Sequence, residues 1–589
     1  GRQVKRTIAI EDCGKGLNAD LLPAELELGV WSNVTNFRVR NGFMEKWEGD
    51  YTVLNSAIVS PCFFYSYKDA DSLIFIHNSG TAVHRKWATT TSTTITRYRK
   101  SETISTLNRL GANSAEVTTA SAHGLTTGDV VTVFGATESG YNEVGASITV
   151  TSSTKFTYTT TNAIAANATV VGEYVVTSSS ATSAFSGTTA EVYSGGDFNG
   201  VAILNDSAAG IHYWDGNTSN KFRRFGFQSY LADYCGFFRE YIVQLQPTMS
   251  GTKYPYRVLW SNATEPGSIP SSFTSTSTND AGFKDLSYAG PLITCLPLGD
   301  ANYIYSRTAI VAMRWIQGEF TFSFQKTADV GAISQHAVCD VPGVGHVFVT
   351  PSLDVRVHQG GVTRSISEGF VRNAMQAAYG GSSSEYDFLV RYNPQKNEVL
   401  ITPSSFHLSA SVYVWDVETG KWSTFSVGAT LYYSYMAPCV VPTDANYLSS
   451  GSGSYDAKAQ NTIVVGGLLR LSFIHPQLGS GLVNGASLSG TLERIGLHWG
   501  IRDRNKTIHR TRWNIDGDAA DTVTISHGAA STADATPTYA TGVTYTIGTT
   551  DYCSQRSLSG RFNALKLVTT AYPVKIRSID VELTTEGTR

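Results

Sequence analysis

The sequence predicts an all-β protein, on three observations. Charged residues make up 16% of the 589-residue chain, well under the roughly 25% of an ordinary globular domain. Aromatic residues make up 11%, and Thr, Ser and 54 Gly are spread throughout, a composition that suits strands and turns. Strand-length runs such as "DSLIFIHNSG", "GVAILND", "EYIVQL" and "GHVFVTP" each close on Gly, Asn, Asp or Pro, while helical periodicity is almost absent. The chain is too long for one hydrophobic core, so two to four domains are expected.

The first element is a hairpin in "WSNVTNFRVRNGFMEKWEGD", residues 31 to 50. Asn41-Gly42 predicts a type I′ turn, whose two central residues both need positive φ. That register sets Val39 opposite Met44 and Arg38 opposite Glu45, an apolar pair and an opposite-charge pair. The single helix is expected in "SEGFVRNAMQAAYGG", 367 to 381, between a Ser cap and a terminal Gly pair.

A weak internal repeat links "YWDGNTSNKFRRF" (213 to 225) with "VWDVETGKWSTF" (414 to 425). Both run Trp-Asp, Thr, Lys-aromatic, then Phe three residues on. Trp-Asp leading through a polar turn to a second aromatic strand is a pattern of β-propeller blades, with a β-sandwich array as the competing architecture. One window breaks the pattern: no Trp occurs from 88 to 213, and no Pro from 62 to 246. Within it, "AEVTTASAHGLTTGDVVTVFGATESGYNEVGASITVTSSTKFTYT" reads as four or five short strands with turns at His123-Gly124, Gly128-Asp129 and Gly135. The division expected is therefore a propeller body begun by 1–103, a small β domain inserted at 104–176, the rest of the body at 177–480, and a C-terminal β domain at 481–589.

Net charge is −3, against tight gripping of nucleic acid through phosphates. Seven scattered cysteines without a CxxC predict free, buried thiols. The opening "GRQVKRTIAIEDC" lacks a signal-peptide core and no run of 18 apolar residues occurs, so a soluble chain made in a reducing cytoplasm is expected.

Catalytic signatures are missing: no GxSxG, HExxH, GxxxxGK[ST] or strand-linked GxGxxG, and no enzyme, metal or cofactor is expected. Asp69 and Asp71 in "YKDADS" read as a solvated turn, and "DGDAAD" (516 to 521) as an exposed hairpin turn. One basic constellation remains, "HWGIRDRNKTIHRTRW" (498 to 513), where Arg502, Arg504, Lys506, Arg510 and Arg512 lie between Trp499 and Trp513. Basic residues interleaved with aromatics suit a nucleic-acid backbone, and equally a polar sheet face or a subunit contact.

Several stretches resemble the nozzle, or tail tubular, proteins of short-tailed bacteriophages. The opening carries Trp31, Asn33, Asn36, Gly42, Lys46 and Gly49 of that family's pattern, with one residue more between the last two than its minimal form. "YPYRVLWSNATEPGSIPSSF" is similar to its Trp-Ser-x-x-x-x-Pro blade segment. "YIYSRTAIVAMRWIQGEFTFSFQKTADVGAISQHAV" is similar to the following blade, with Gly331, Ile333 and Ser334, and "SLSGRFNALKLVTTAYPVKIRSIDVELTTEGTR" to the ending. The insert resembles immunoglobulin-like decorations of phage structural proteins. The resemblance implies a β-propeller body in a ring of six copies, set in the virion tail under a head-to-tail adaptor. Such a ring retains the genome, conducts double-stranded DNA without sequence specificity, and contacts tail fibres or a tip protein. From another class, the alternative is a carbohydrate-binding or glycoside-hydrolysing β-propeller, which needs paired carboxylates in a central pocket.

Overall fold

In the computed structural model, residues 5–55, 60–227, 230–380, 387–404, 411–428, 433–444, 448, 459–467 and 469–586 are described. Strands dominate, joined into antiparallel sheets, and among the described residues the helix Arg372–Tyr379 is the single α-helix of any length. The all-β expectation holds.

Seven sheets follow one another along the chain, six of four strands and the third of five, where the short strand Thr252–Lys253 adds to Tyr241–Met249. Their first strands are Pro61–Tyr67, Tyr193–Phe198, Leu231–Phe238, Leu292–Leu298, Val338–Val341, Phe388–Asn393 and Tyr433–Pro442. Each first strand touches the next, and the seventh touches the first, so the sheets form a closed cycle. Six sheets are built from consecutive strands, but the seventh is completed by Tyr51–Asn55, which pairs with Arg470–Ile474. An early strand thus locks the last sheet, leaving the cycle without a loose end. The Trp-Asp repeat falls at the ends of two third strands: Trp214 closes Gly210–Trp214, Trp415 is the penultimate residue of Val412–Asp416, and Asp215 and Asp416 each accept a backbone N–H two or three residues on. The buried aromatics that follow, Phe222 and Trp422, start the way into the fourth strands.

Strands Ile104–Gly111 to Val171–Ser178 form a six-stranded sheet array with its own apolar core, including Val117, Phe156 and Tyr174. It interrupts the passage from the first sheet to the second. Just outside it, Arg97–Tyr98 pairs with Thr182–Ser183, which brings the two ends of the insertion together. Gly124 and Gly128 have the left-handed φ of loop and turn, but Gly135 lies inside the strand Val130–Ala136, opposite Gly172.

The opening hairpin belongs elsewhere than expected. Its register matches, with Arg38 opposite Glu45 and Val39 opposite Met44. The turn does not: Gly42 alone has positive φ, +90°, so the signs are those of a type II turn, packed over Gly14. Phe43–Lys46 then pairs with Val574–Thr585, as does Lys5–Ile10, and Asn33–Thr35 pairs with Gly490–Leu497. Residues 5 to 46 therefore complete the two C-terminal sheets and are not the first part of the ring.

The helix also differs from expectation at its start. The Ser367 hydroxyl donates to Asp354 (2.8 Å) and accepts from Val355 N–H (2.9 Å), so it caps nothing. Asp20, some 350 residues away, accepts instead from the N–H groups of Asn373 (3.0 Å) and Ala374 (3.2 Å). Gly380 ends the helix in right-handed conformation, and Gly381 lies outside the described residues.

Candidate functional site

All seven first strands contribute to one central cavity of about 510 Å³, through Phe63, Ser194, Tyr234, Cys295, Cys339, Arg391 and Tyr435. Inward-facing positions of first strands converge there because the sheets are arranged cyclically. Arg391 is its hub. Its guanidinium donates to the carbonyls of Met436 (2.8 Å), His336 (2.9 Å) and Val390 (2.9 Å), and to Tyr435 Oη (3.4 Å). His336 Nδ1 lies 3.2 Å from Arg391 Nη2 and accepts from it, so Nε2 carries the proton given to Ala190 O at 2.9 Å. Burial, then the Arg391 charge, pushes the imidazole down to about 3 and keeps it neutral.

The cavity wall contains one carboxylate, Asp340, raised above its ordinary range by burial. Glu191, held well above the usual carboxylate range by burial and next by Asp387, contributes its backbone carbonyl to Gln335 and is not part of the wall. Cys295 and Cys339 are pushed up to about 12 by burial, so both are thiols and poor nucleophiles. A guanidinium, a neutral imidazole, phenols and thiols line this cavity, and Arg391 ties its own sheet to the seventh and to the segment leading into the fifth; an acid–base pair flanking a bond is not assembled from this wall.

The basic run at 498 to 513 is split by the fold. A β-bulge between Ile508 and Arg510 in the strand Lys506–Gly517 shifts the alternation of faces. Before it Lys506 and Ile508 point inward; after it Thr511 and Trp513 do. Lys506 is consequently buried, donates to Ile501 O, and is lowered to about 8 by burial. Arg510 pairs with Glu582 (3.0 Å) and lies 3.9 Å over Tyr552, while Arg512 pairs with Asp551 (2.9 Å) and Arg502 with Glu25 (3.3 Å). Arg504 is exposed. Trp499 and Trp513 are buried, their indole N–H groups given to Asn563 and Thr511, so neither offers a face for stacking. The five cations therefore do not form one patch.

Asp69 sits in the turn between two strands and Ala519-Ala520 form the turn inside 516 to 521, as the sequence suggests. All seven cysteines are free and buried. Among the described residues no group of His, Cys, Asp and Glu is placed to hold a metal ion, and no helix is long and apolar enough to cross a membrane. Sequence reasoning missed a different basic group, Arg97, Arg99, Lys100, Arg223 and Arg224, which line a second cavity. Its signal is two short runs, "RYRK" and "RR", in a chain poor in charge, separated by more than a hundred residues.

No family model matches the chain, and no curated protein does. Among solved structures, the crystal structure of Saccharomyces cerevisiae Sqt1 is similar over 48% of this chain and 95% of that one, with 8% identity and a TM-score of 0.26, a likeness too slight to carry an argument.

Proposed function

We propose that the chain is a non-enzymatic structural component of a short phage tail: a ring-shaped nozzle below the head-to-tail adaptor that retains the genome and conducts DNA during ejection. Its body is a seven-bladed β-propeller decorated by an immunoglobulin-like insertion, and six copies surround the conduit. The observation that carries this reading is where the family-like segments fall. "YPYRVLWSN" supplies the third strand of the third sheet, "YIYSRTAIVAMRW" the second and third strands of the fourth, and the ending the last strands of the C-terminal sheets. The resemblance thus follows the scaffold and not one loop. Electrostatics favour it too. A conduit must let a polyanion slide, and fixed phosphate contacts strengthen binding. Here net charge is −3, and Arg502, Arg510 and Arg512 already have carboxylate partners.

A carbohydrate-binding propeller has one observation in its favour. A groove of about 930 Å³ between the third and fourth sheets is lined by Trp260, Tyr288, Phe320 and Phe322, with Phe320 68% exposed. Electron-microscopy averages of the native assembly separate the two. A sixfold ring with an open centre, stacked on a wider ring, is expected. Isolated compact monomers from the native source would overturn the nozzle and direct glycan-binding assays to the groove.

A further inference from the structure

A second cavity, of about 430 Å³, opens where the insertion meets the ring. Its wall is formed by the entry stem at 97 to 101, the insertion's last strand Val171–Ser178, and parts of the second and third sheets. Five cations line it, Arg97, Arg99, Lys100, Arg223 and Arg224, against one carboxylate, Glu173. The chain as a whole is net negative, so this excess is local and concentrated.

Nearby anions are largely committed elsewhere. Arg223 is the exception among the five, already paired with Asp215 at 2.9 Å, which leaves Arg97, Arg99, Lys100 and Arg224 as the excess. Asp206 accepts from Ser186 (N–H 2.7 Å, hydroxyl 2.7 Å) and from Ala208 N–H at 3.0 Å. Arg97 is buried, donating Nε–H to Ala184 O (3.0 Å) with its guanidinium carbon 5.5 Å over the Phe185 ring, which fixes its aim. Burial holds Arg97 and Arg224 below the ordinary arginine range; Asp206 offsets part of this at Arg97, and Arg224 adds to it. His212, also in the wall, is kept neutral by burial and then by Arg97 and Arg224, so it adds no charge of its own.

Cations gathered in a partly buried concavity repel one another and raise the local concentration of anions. Planar guanidinium forks match the oxygens of phosphate in geometry as well as charge. We propose that this cavity binds a compact phosphate-class oxyanion through Arg97 and Arg224, assisted by the exposed Lys100, and that the bound anion staples the stem of the insertion to the second sheet. The site is independent of the nozzle reading.

Calorimetric titration of the full chain with sodium diphosphate, at constant ionic strength, tests it. One saturable site per chain is expected, weakened about tenfold or more in Arg97→Gln/Arg224→Gln, since each loses charge-assisted hydrogen bonds. No saturable heat, or unchanged affinity in a folded double variant, overturns the proposal. Lys100 is exposed, so Lys100→Gln keeps the test open if the double variant does not fold; a severalfold loss is expected, and unchanged affinity counts against the site. A duplex oligonucleotide at equal phosphate concentration should leave diphosphate bound, because a duplex is too broad for the cavity. Displacement by DNA would overturn the small-oxyanion assignment.

Discussion

Two bodies are attached to the same ring by opposite means. The N- and C-terminal strands share one continuous apolar core with it: Val34, Met44, Trp513 and Ile579 belong to the same buried cluster as Val349, Val390 and Trp422 of the ring. At that joint Arg38 is fully buried between Glu48 and Glu398, donating to Glu398 at 2.8 and 2.9 Å, and Trp47 stacks on Phe425 at 4.3 Å. The insertion keeps a separate core, and its attachment is a two-residue strand pair and a cavity lined with cations. A joint of apolar core and buried ion pairs couples two bodies into one cooperative unit. One made of a short ladder and a polar cavity leaves a module that folds by its own contacts.

Acid should separate the two most strongly. Between the fourth and fifth sheets, Tyr305 Oη lies 2.6 Å from both His346 Nδ1 and His358 Nε2. His346 Nε2 donates to Pro297 O (3.0 Å), so its Nδ1 accepts the Tyr305 proton; His358 Nδ1 accepts from Gly360 N–H (3.0 Å), so its Nε2 donates to Tyr305. The chain is complete only with both rings neutral, and burial pushes each down to about 4. Below the ordinary value of 6.5 the unfolded chain takes up protons that the folded one refuses until about pH 4. Stability is therefore fully present above pH 6.5 and lost as pH falls from 6.5 to about 4, by on the order of 3 kcal/mol per histidine. In calorimetry the ring transition should fall steeply over that window. The insertion, with His123 as its one histidine, should fall less. Parallel descent would break the comparison.

Arg38→Ala is next in size. It strands two buried carboxylates, a loss of about 3–5 kcal/mol. Urea unfolding followed by tryptophan emission should show the ring and terminal sheets shifting together, with the insertion's amide exchange unchanged. A shift confined to the terminal sheets would mean that the shared core does not couple them.

The same contrast explains what was legible in the sequence. The insertion announced itself by composition, because a module with its own core is encoded by contiguous residues, and the Trp-Asp repeat marked two equivalent strand-to-strand turns for the same reason. The terminal joint was hidden. Lys5–Ile10 pairs with residues 579 to 584, and no local pattern records a partner so distant. Arg38 has Glu45 opposite it in register, yet its guanidinium reaches Glu48 and Glu398. The basic run misled through its bulge: by alternation Lys506, Arg510 and Arg512 share a face, and one extra residue turns Lys506 inward. The basic cavity needed two segments that only the folded stem brings together.

The smallest effect tests the outer edge of the terminal joint. Asp20 reaches from the N-terminal segment to the first amides of the helix Arg372–Tyr379, doing from a distance what a local Ser, Thr or Asp does in most helices. Asp20→Ala removes both an acceptor and a charge favourably placed at the helix N-terminus, so a loss of about 1 kcal/mol is expected. Asp20→Asn keeps an acceptor oxygen and loses the charge, and should cost about half as much at low ionic strength, converging on wild type as salt rises. Denaturant midpoints of the two variants, at low and high salt, make the distinction. Equal losses would assign the contact to the charge alone. No loss in either would show that the apolar packing of Met375 and Val371, both fully buried, holds the helix without its cap.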